Sequence, residues 1–115
     1  MISLQYSNFI LACKNKAEER NDLFAEQGVI YSVTYPYKRG NEDVINLRIS
    51  VTSQKTKRTR HSNCTMSEKE FSENLKTGRE LQDVVNLLFD LCTNKARGDL
   101  MLWLSLIILM RIILL

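Results

Sequence analysis

The chain has 115 residues, of which 44% are apolar, and a formal net charge of +3 at pH 7. This length limits the chain to about one domain and leaves little room for a deep catalytic cleft. The small net charge also argues against a protein that covers a nucleic-acid backbone with a whole basic face. We therefore expect one domain over residues 1–96, followed by an apolar tail over residues 97–115.

The first predicted element is an amphipathic helix. Apolar residues recur at helical spacings while charged residues occupy most of the opposite face. The apolar positions are Ile10, Cys13, Ala17 and Phe24. Gly28 follows where helices commonly end in a left-handed residue, so the pattern predicts a helix over residues 3–26.

The sequence then changes to the period of two that is typical of β-strands. Residues 29–35 are rich in β-branched and aromatic side chains and stop at Pro36, which predicts a first strand. After the turn signal of Gly40 and Asn41, apolar and polar residues alternate in a half-buried second strand. A short third strand is predicted at the sheet edge near residues 60–66.

A capping-box pattern begins the last helical region. Ser67 and Glu70 are spaced so that each side chain can satisfy a free backbone amide at a helix start. Apolar residues then recur every three or four positions to about residue 93, which predicts one long helix. Gly78 costs about 1 kcal/mol against alanine, so it marks either a close contact or a break into two helices.

The predicted fold class is therefore α+β. It consists of an N-terminal helix, a small three-stranded antiparallel sheet, a long C-terminal helix and an apolar helical tail. The apolar stripe of the sheet and last helix is wider than so small a domain needs. We therefore expect the chain to bind other protein chains as a homo- or hetero-oligomer. The expected contact residues are Ile45, Leu47, Ile49, Val51, Leu81, Val84, Val85, Leu88 and Leu91.

A short basic run accounts for the positive excess of the chain. Its four residues are Lys55, Lys57, Arg58 and Arg60. Such a run can be a nuclear import signal, it can contact phosphates as a weak nucleic-acid-binding module, or it can be a solvated loop or sheet edge. No aromatic residues interleave with the cations to stack on bases, so the sequence favours the solvated loop.

The residues that usually carry chemistry are isolated from one another. Cys13, Cys64 and Cys92 are widely spaced, and His61 is the single histidine, so no zinc-ligand set is complete. We interpret the cysteines as reduced apolar fillers. No nucleophile, base and stabilising group stand at workable spacings, so we expect no enzyme activity, cofactor or metal ion.

The tail raises the question of membrane contact. Residues 100–115 contain Ser105 and Arg111 as their only polar side chains, and a helix apolar on all sides must be buried by protein or lipid. As a helix it would span about 24 Å, against a hydrocarbon core of about 30 Å. A membrane anchor would use Leu100, Trp103, Leu106 and Ile108.

Three interpretations of the tail stay open: a short anchor, a segment packed inside an oligomer, or an ending left by truncation or alternative splicing. The first residues lack the basic and apolar regions of a secretory signal. We therefore expect a cytoplasmic protein, attached to an intracellular membrane if the tail is an anchor.

The order of the elements resembles the COMM domain over about residues 29–92. The resemblance is carried by residues 47–51 within "VINLRISV" and by residues 66–75 at the start of the last helix, "MSEKEFSENL". The first strand of the family usually has a tryptophan and a basic residue where this chain has Tyr31 and Ser32. The resemblance implies obligate pairing with another COMM chain and an adaptor role in endosomal sorting and ubiquitin-linked regulation.

Overall fold

Three helices pack on one face of a three-stranded antiparallel sheet in the computed structural model, which describes residues 2–96. The helices are α1 (Leu4–Phe24), α2 (Glu68–Lys76) and α3 (Leu81–Ala96), and the strands are β1 (Val29–Arg39), β2 (Glu42–Thr52) and β3 (Thr59–Met66). The sheet order is β1-β2-β3. The predicted α+β class and three-stranded antiparallel sheet are confirmed.

Helix α1 ends where the sequence predicts a left-handed glycine. Ser3 begins the helix by accepting a hydrogen bond from the backbone N–H of Tyr6 at 3.1 Å. A 3-10 turn (Ala25–Gln27) follows, and Gly28 has a φ of +87°. A Cβ at Gly28 would lie 2.6 Å from the carbonyl oxygen of Thr52, so both the φ and the close approach require glycine here.

Strand β1 continues four residues past its predicted end at residue 35. Its register against β2 shifts between Thr34 and Tyr37, and this irregularity contains Pro36. The prediction that the proline ends the strand is therefore wrong. Because β1 lies at the sheet edge, a residue without an N–H group is tolerated there at a bulge.

The predicted long C-terminal helix is two helices, α2 and α3. The capping box of α2 is confirmed, since Ser67 Oγ accepts from the N–H of Glu70 and the Glu70 carboxylate accepts from the N–H of Ser67, both at 3.1 Å. The break lies at Gly78, whose φ of +91° ends α2. The spacing of apolar residues predicted a continuous helix, because it contains no information on the left-handed conformation of Gly78.

The core lies between the inner face of the sheet and the helices. The rings of Phe9 and Phe71 stack with centroids 4.6 Å apart, and Tyr6 lies 5.8 Å from Phe71. A second pair, Tyr31 of β1 and Phe89 of α3, stacks at 6.0 Å. Full burial of such a ring contributes roughly 1.5–3 kcal/mol. The first cluster holds α1 against α2, and the second pair holds α3 against β1.

The predicted tail, residues 97–115, lies outside the described residues, and with it Leu100, Trp103, Leu106 and Ile108. Across residues 2–96, no helix combines the length and the apolar character that crossing a membrane requires.

Candidate interaction surface

Most of the residues predicted to contact a partner lie in the core of the domain itself. Seven of them are buried: Ile45, Leu47, Ile49, Val51, Val84, Val85 and Leu88. Leu81 is half-buried, and Leu91 is 42% exposed. The wide apolar stripe is buried within the domain, because α1, α2 and α3 together cover the inner face of the sheet. Of the nine residues, Leu91 is therefore the one best placed to contact another chain.

The exposed apolar side chains lie mainly on the outer surfaces of the helices. On α1, Leu4 is 76% exposed and Leu11 is 58% exposed. Seven residues separate them, which is close to two helical turns, so they lie on the same side of α1. We call these two side chains the α1 leucine stripe. Leu23 is also 58% exposed, but it lies about a third of a turn away from Leu11 around the helix.

A side chain from α1 closes part of the β1 edge. The Asn21 amide nitrogen donates to the carbonyl oxygen of Tyr31 at 2.9 Å, and Asn21 Oδ1 accepts from the N–H of Tyr31 at 2.6 Å. This amide thus satisfies the two backbone groups that a neighbouring strand would otherwise pair with. A partner strand could not add to β1 at Tyr31 without displacing Asn21.

Helix α3 restricts the opposite edge, on β3. Lys95 Nζ donates to the carbonyl oxygen of Asn63 at 2.8 Å, and Ser62 Oγ donates to the carbonyl oxygen of Cys92 at 3.1 Å. A helix whose side chains bond to an edge strand covers that edge and discourages unwanted pairing. Both sheet edges are thus partly blocked, so a partner chain is better placed to contact exposed side chains than to add a strand to the sheet.

The outer face of the sheet, opposite the helices, is a polar surface. Ser50 and His61 are hydrogen-bonded across β2 and β3 at 2.9 Å, and the guanidinium of Arg48 donates to Asn63 Oδ1 at 2.9 Å. Asn46 is 3% exposed, and its Oδ1 has no hydrogen-bond partner within the described part of the chain. The accessible part of this face, around Arg48 and His61, suits contact with water or a polar partner better than contact with an apolar one.

The predicted basic run lies at the end of the β2–β3 hairpin. Lys55, Lys57 and Arg58 are exposed in the connecting loop, and Arg60 is exposed in β3. The N–H of Ser53 donates to the carbonyl oxygen of Arg58 at 2.9 Å, and the N–H of Lys57 donates to the carbonyl oxygen of Ser53 at 2.8 Å. The run is thus a hydrogen-bonded loop that leads into a sheet strand.

The thiols are poorly suited to nucleophilic chemistry. Cys13 and Cys92 are buried, and burial raises the pKa of the Cys13 thiol to about 12 and that of the Cys92 thiol to about 11. Burial also raises the pKa of the half-buried Cys64. The thiolate is the reactive form, so all three thiols are less reactive at neutral pH than a free cysteine.

His61, the single histidine, is hydrogen-bonded to the hydroxyl of Ser50, a group that can act as a nucleophile. Ser50 Oγ lies 2.9 Å from His61 Nδ1, but a nucleophile–base pair also needs a group that orients the base. Among residues 2–96 the ring makes no second hydrogen bond to a protein group. The same residues contain no cluster of three or more histidine, cysteine or acidic side chains that could hold a metal ion.

Comparison of the chain with protein-family models, with curated proteins and with solved structures finds no match. The function is therefore inferred from the surfaces described above.

Proposed function

We propose that the chain is a protein–protein interaction module, similar to a COMM domain, that acts through homo- or hetero-oligomerisation. The observation that carries the proposal is the α1 leucine stripe, Leu4 and Leu11, which are 76% and 58% exposed. Covering these side chains with another chain removes apolar surface from water, and this favours association.

The magnitudes favour a reversible complex. Full burial of one leucine contributes roughly 1.5–3 kcal/mol. A two-fold dimer uses the same patch twice and would bury four leucines, Leu4 and Leu11 from each copy. Because Leu4 is 76% and Leu11 58% exposed in each copy, the gain is roughly 4–8 kcal/mol, which lies within the roughly 4–15 kcal/mol that association costs. Other exposed side chains, such as Leu91, would strengthen a complex with a matching partner.

Light scattering coupled to size-exclusion chromatography tests the proposal. We expect both the full chain and residues 1–96 to elute with a mass above that of one chain, and the mass to fall on dilution. A single-chain mass for both samples at every concentration, with no partner chain supplied, would rule out homo-oligomerisation. Pull-down by a second chain that depends on Leu4 and Leu11 would then be needed to retain the hetero-oligomer form.

A second candidate function is a tail-anchored protein whose head is the α+β domain. The composition of residues 100–115, with two polar side chains among sixteen, favours it. Carbonate extraction of membranes separates the two candidates. A full-length chain that washes off membranes as readily as residues 1–96 would exclude the anchor.

A further inference from the structure

Residues 45–66, which make up most of the β2–β3 hairpin, carry positive charge and no carboxylate. Between residues 45 and 66 there are no aspartate or glutamate residues, and the cationic side chains are Arg48, Lys55, Lys57, Arg58 and Arg60. These five charges exceed the net charge of +3 for the whole chain. The rest of the protein is therefore net negative, and the molecule has a cationic end.

The strongest ion pairs between neighbouring strands lie at the other end of the sheet. Lys38 pairs with Asp43 at 2.6 Å, and Arg39 pairs with Glu42 at 3.0 Å, both beside the β1–β2 turn. Strand β2 has 11 residues, so its two ends are about 35 Å apart. The β2–β3 loop is thus beyond the reach of these carboxylates.

The loop at the cationic end has a defined shape. We call residues 53–58 the cationic tip. The hydroxyl of Ser53 accepts from the N–H of Thr56, and the hydroxyl of Thr56 accepts from the N–H of Arg58, both at 3.3 Å. Lys57 has a φ of +60°, which a non-glycine residue adopts only when its surroundings impose it. The backbone that carries the cations is therefore ordered before a partner arrives, which lowers the part of the binding cost that comes from ordering the loop.

One acidic residue lies at the base of the tip. Gln54 Nε2 donates to the backbone carbonyl oxygen of Glu26 at 3.4 Å, so the 3-10 turn after α1 contacts the loop. The charge of Glu26 alone does not balance Lys55, Lys57 and Arg58, all of which are exposed. The local surface stays cationic.

We propose that the cationic tip docks an acidic polypeptide segment of a partner protein, with carboxylates of that segment paired to Lys55, Lys57 and Arg58. This docking rests on the proposed function as a protein-interaction module and names the chemistry of the partner. Arg48 and His61 extend the polar surface along the outer face of the sheet. An acidic peptide fits better than a nucleic acid, since residues 45–66 include no phenylalanine, tyrosine or tryptophan on which bases could stack.

Fluorescence anisotropy with the full chain tests the proposal. The probes are a labelled oligoglutamate peptide and a single-stranded RNA of equal negative charge. We compare the wild type with the triple variant Lys55→Gln/Lys57→Asn/Arg58→Gln, in which asparagine tolerates the left-handed backbone. The peptide should bind the wild type in a salt-dependent manner, and the triple variant should bind it about tenfold more weakly.

The matched control removes the same number of charges elsewhere, with Lys14→Gln/Lys69→Gln/Lys76→Gln on exposed helical positions. It should bind the peptide as the wild type does, within about twofold. The proposal is overturned if the wild type does not bind the peptide, if both triple variants lose binding equally, or if the RNA binds more tightly. Unchanged thermal melting of the tip variant shows that it is folded.

The outcome is separable from that of the proposed oligomerisation. The tip variant should have the same mass by light scattering as the wild type, because the α1 leucine stripe is untouched. If the wild type forms the oligomer but does not bind the peptide, the docking proposal alone is wrong. A monomeric wild type whose peptide binding depends on the tip defeats homo-oligomerisation alone.

Discussion

At the scale of single residues, the hydroxyl of Tyr6 joins α1 to the sheet. Tyr6 is fully buried, and its hydroxyl donates to the carbonyl oxygen of Met66 at 2.8 Å while accepting from the N–H of Ile45 at 3.0 Å. Ile45 and Met66 face each other across β2 and β3. The hydroxyl therefore satisfies two backbone groups where the two strands begin to part.

Tyr6→Phe should lower the free energy of unfolding by about 1–3 kcal/mol, since it leaves a buried N–H and a buried carbonyl without a partner. Urea denaturation measures the change. Tyr37→Phe is the control, because Tyr37 is 37% exposed and should change stability little. Equal stability of the Tyr6 variant and the wild type would contradict this role.

The same burial predicts a dependence of stability on alkaline pH. Burial raises the pKa of Tyr6 from 10.0 to about 12 and that of Cys13 from 9.0 to about 12. The unfolded chain thus loses these protons at lower pH than the folded chain, so stability falls as pH rises from about 9 towards 12. Melting temperatures should fall over this range, and Cys13→Ala should make the fall shallower. A melting temperature constant from pH 8 to about 11 would contradict the burial of these groups.

At the scale of elements, the contact between Asn21 of α1 and Tyr31 explains how the β1 edge is protected. Asn21 was absent from the sequence prediction, although a signal existed: it lies on the same side of α1 as Ala17 and Phe24, where an apolar residue is expected. A polar residue on an apolar helix face commonly has a specific hydrogen-bond partner. Periodicity alone could not identify Tyr31 as that partner, because the contact depends on how α1 crosses β1.

Asn21→Ala should lower stability by about 1–3 kcal/mol and increase aggregation, because it leaves the N–H and carbonyl of Tyr31 unpaired at a sheet edge. Asn15→Ala, at an exposed position of α1, is the control. Urea denaturation and light scattering measure the two effects. If both alanine variants behave alike, the edge is protected by other contacts.

The break between α2 and α3 is also an element-scale feature. Gly78→Ala introduces a side chain into open space, so any penalty comes from the φ of +91° and not from a clash. We expect a loss of about 1–2 kcal/mol in the free energy of unfolding. A variant that is more helical and more stable than the wild type would instead favour the continuous helix over residues 67–93.

At the scale of the whole molecule, the sequence predicted the α+β class and the three-stranded antiparallel sheet, while the division between core and surface was harder to predict. Strand alternation placed Ile45, Leu47 and Ile49 on one face, and all three are buried. The sequence prediction assigned these three residues to partner contact. It did not include the aromatic residues of α1 and α2, such as Phe9 and Phe71, that cover this face. Packing partners depend on long-range contacts, which local periodicity does not contain.

The two proposed recognition surfaces differ in chemistry. The α1 leucine stripe is apolar and suits another folded chain, whereas the cationic tip suits an acidic segment. Because one surface is apolar and the other is charged, we expect binding at the two surfaces to respond differently to salt concentration. Association through the leucines should persist at high salt, while binding at the tip should weaken.

The most direct test of the central claim is sedimentation equilibrium of residues 1–96. We compare the wild type, Leu4→Gln/Leu11→Gln and the control Leu23→Gln, since glutamine preserves helix propensity. The leucine-stripe variant should associate about tenfold more weakly or not at all, and the control should associate as the wild type does. A wild type that stays a single chain at every concentration, or a stripe variant that associates equally well, would contradict the role of the α1 leucine stripe in self-association.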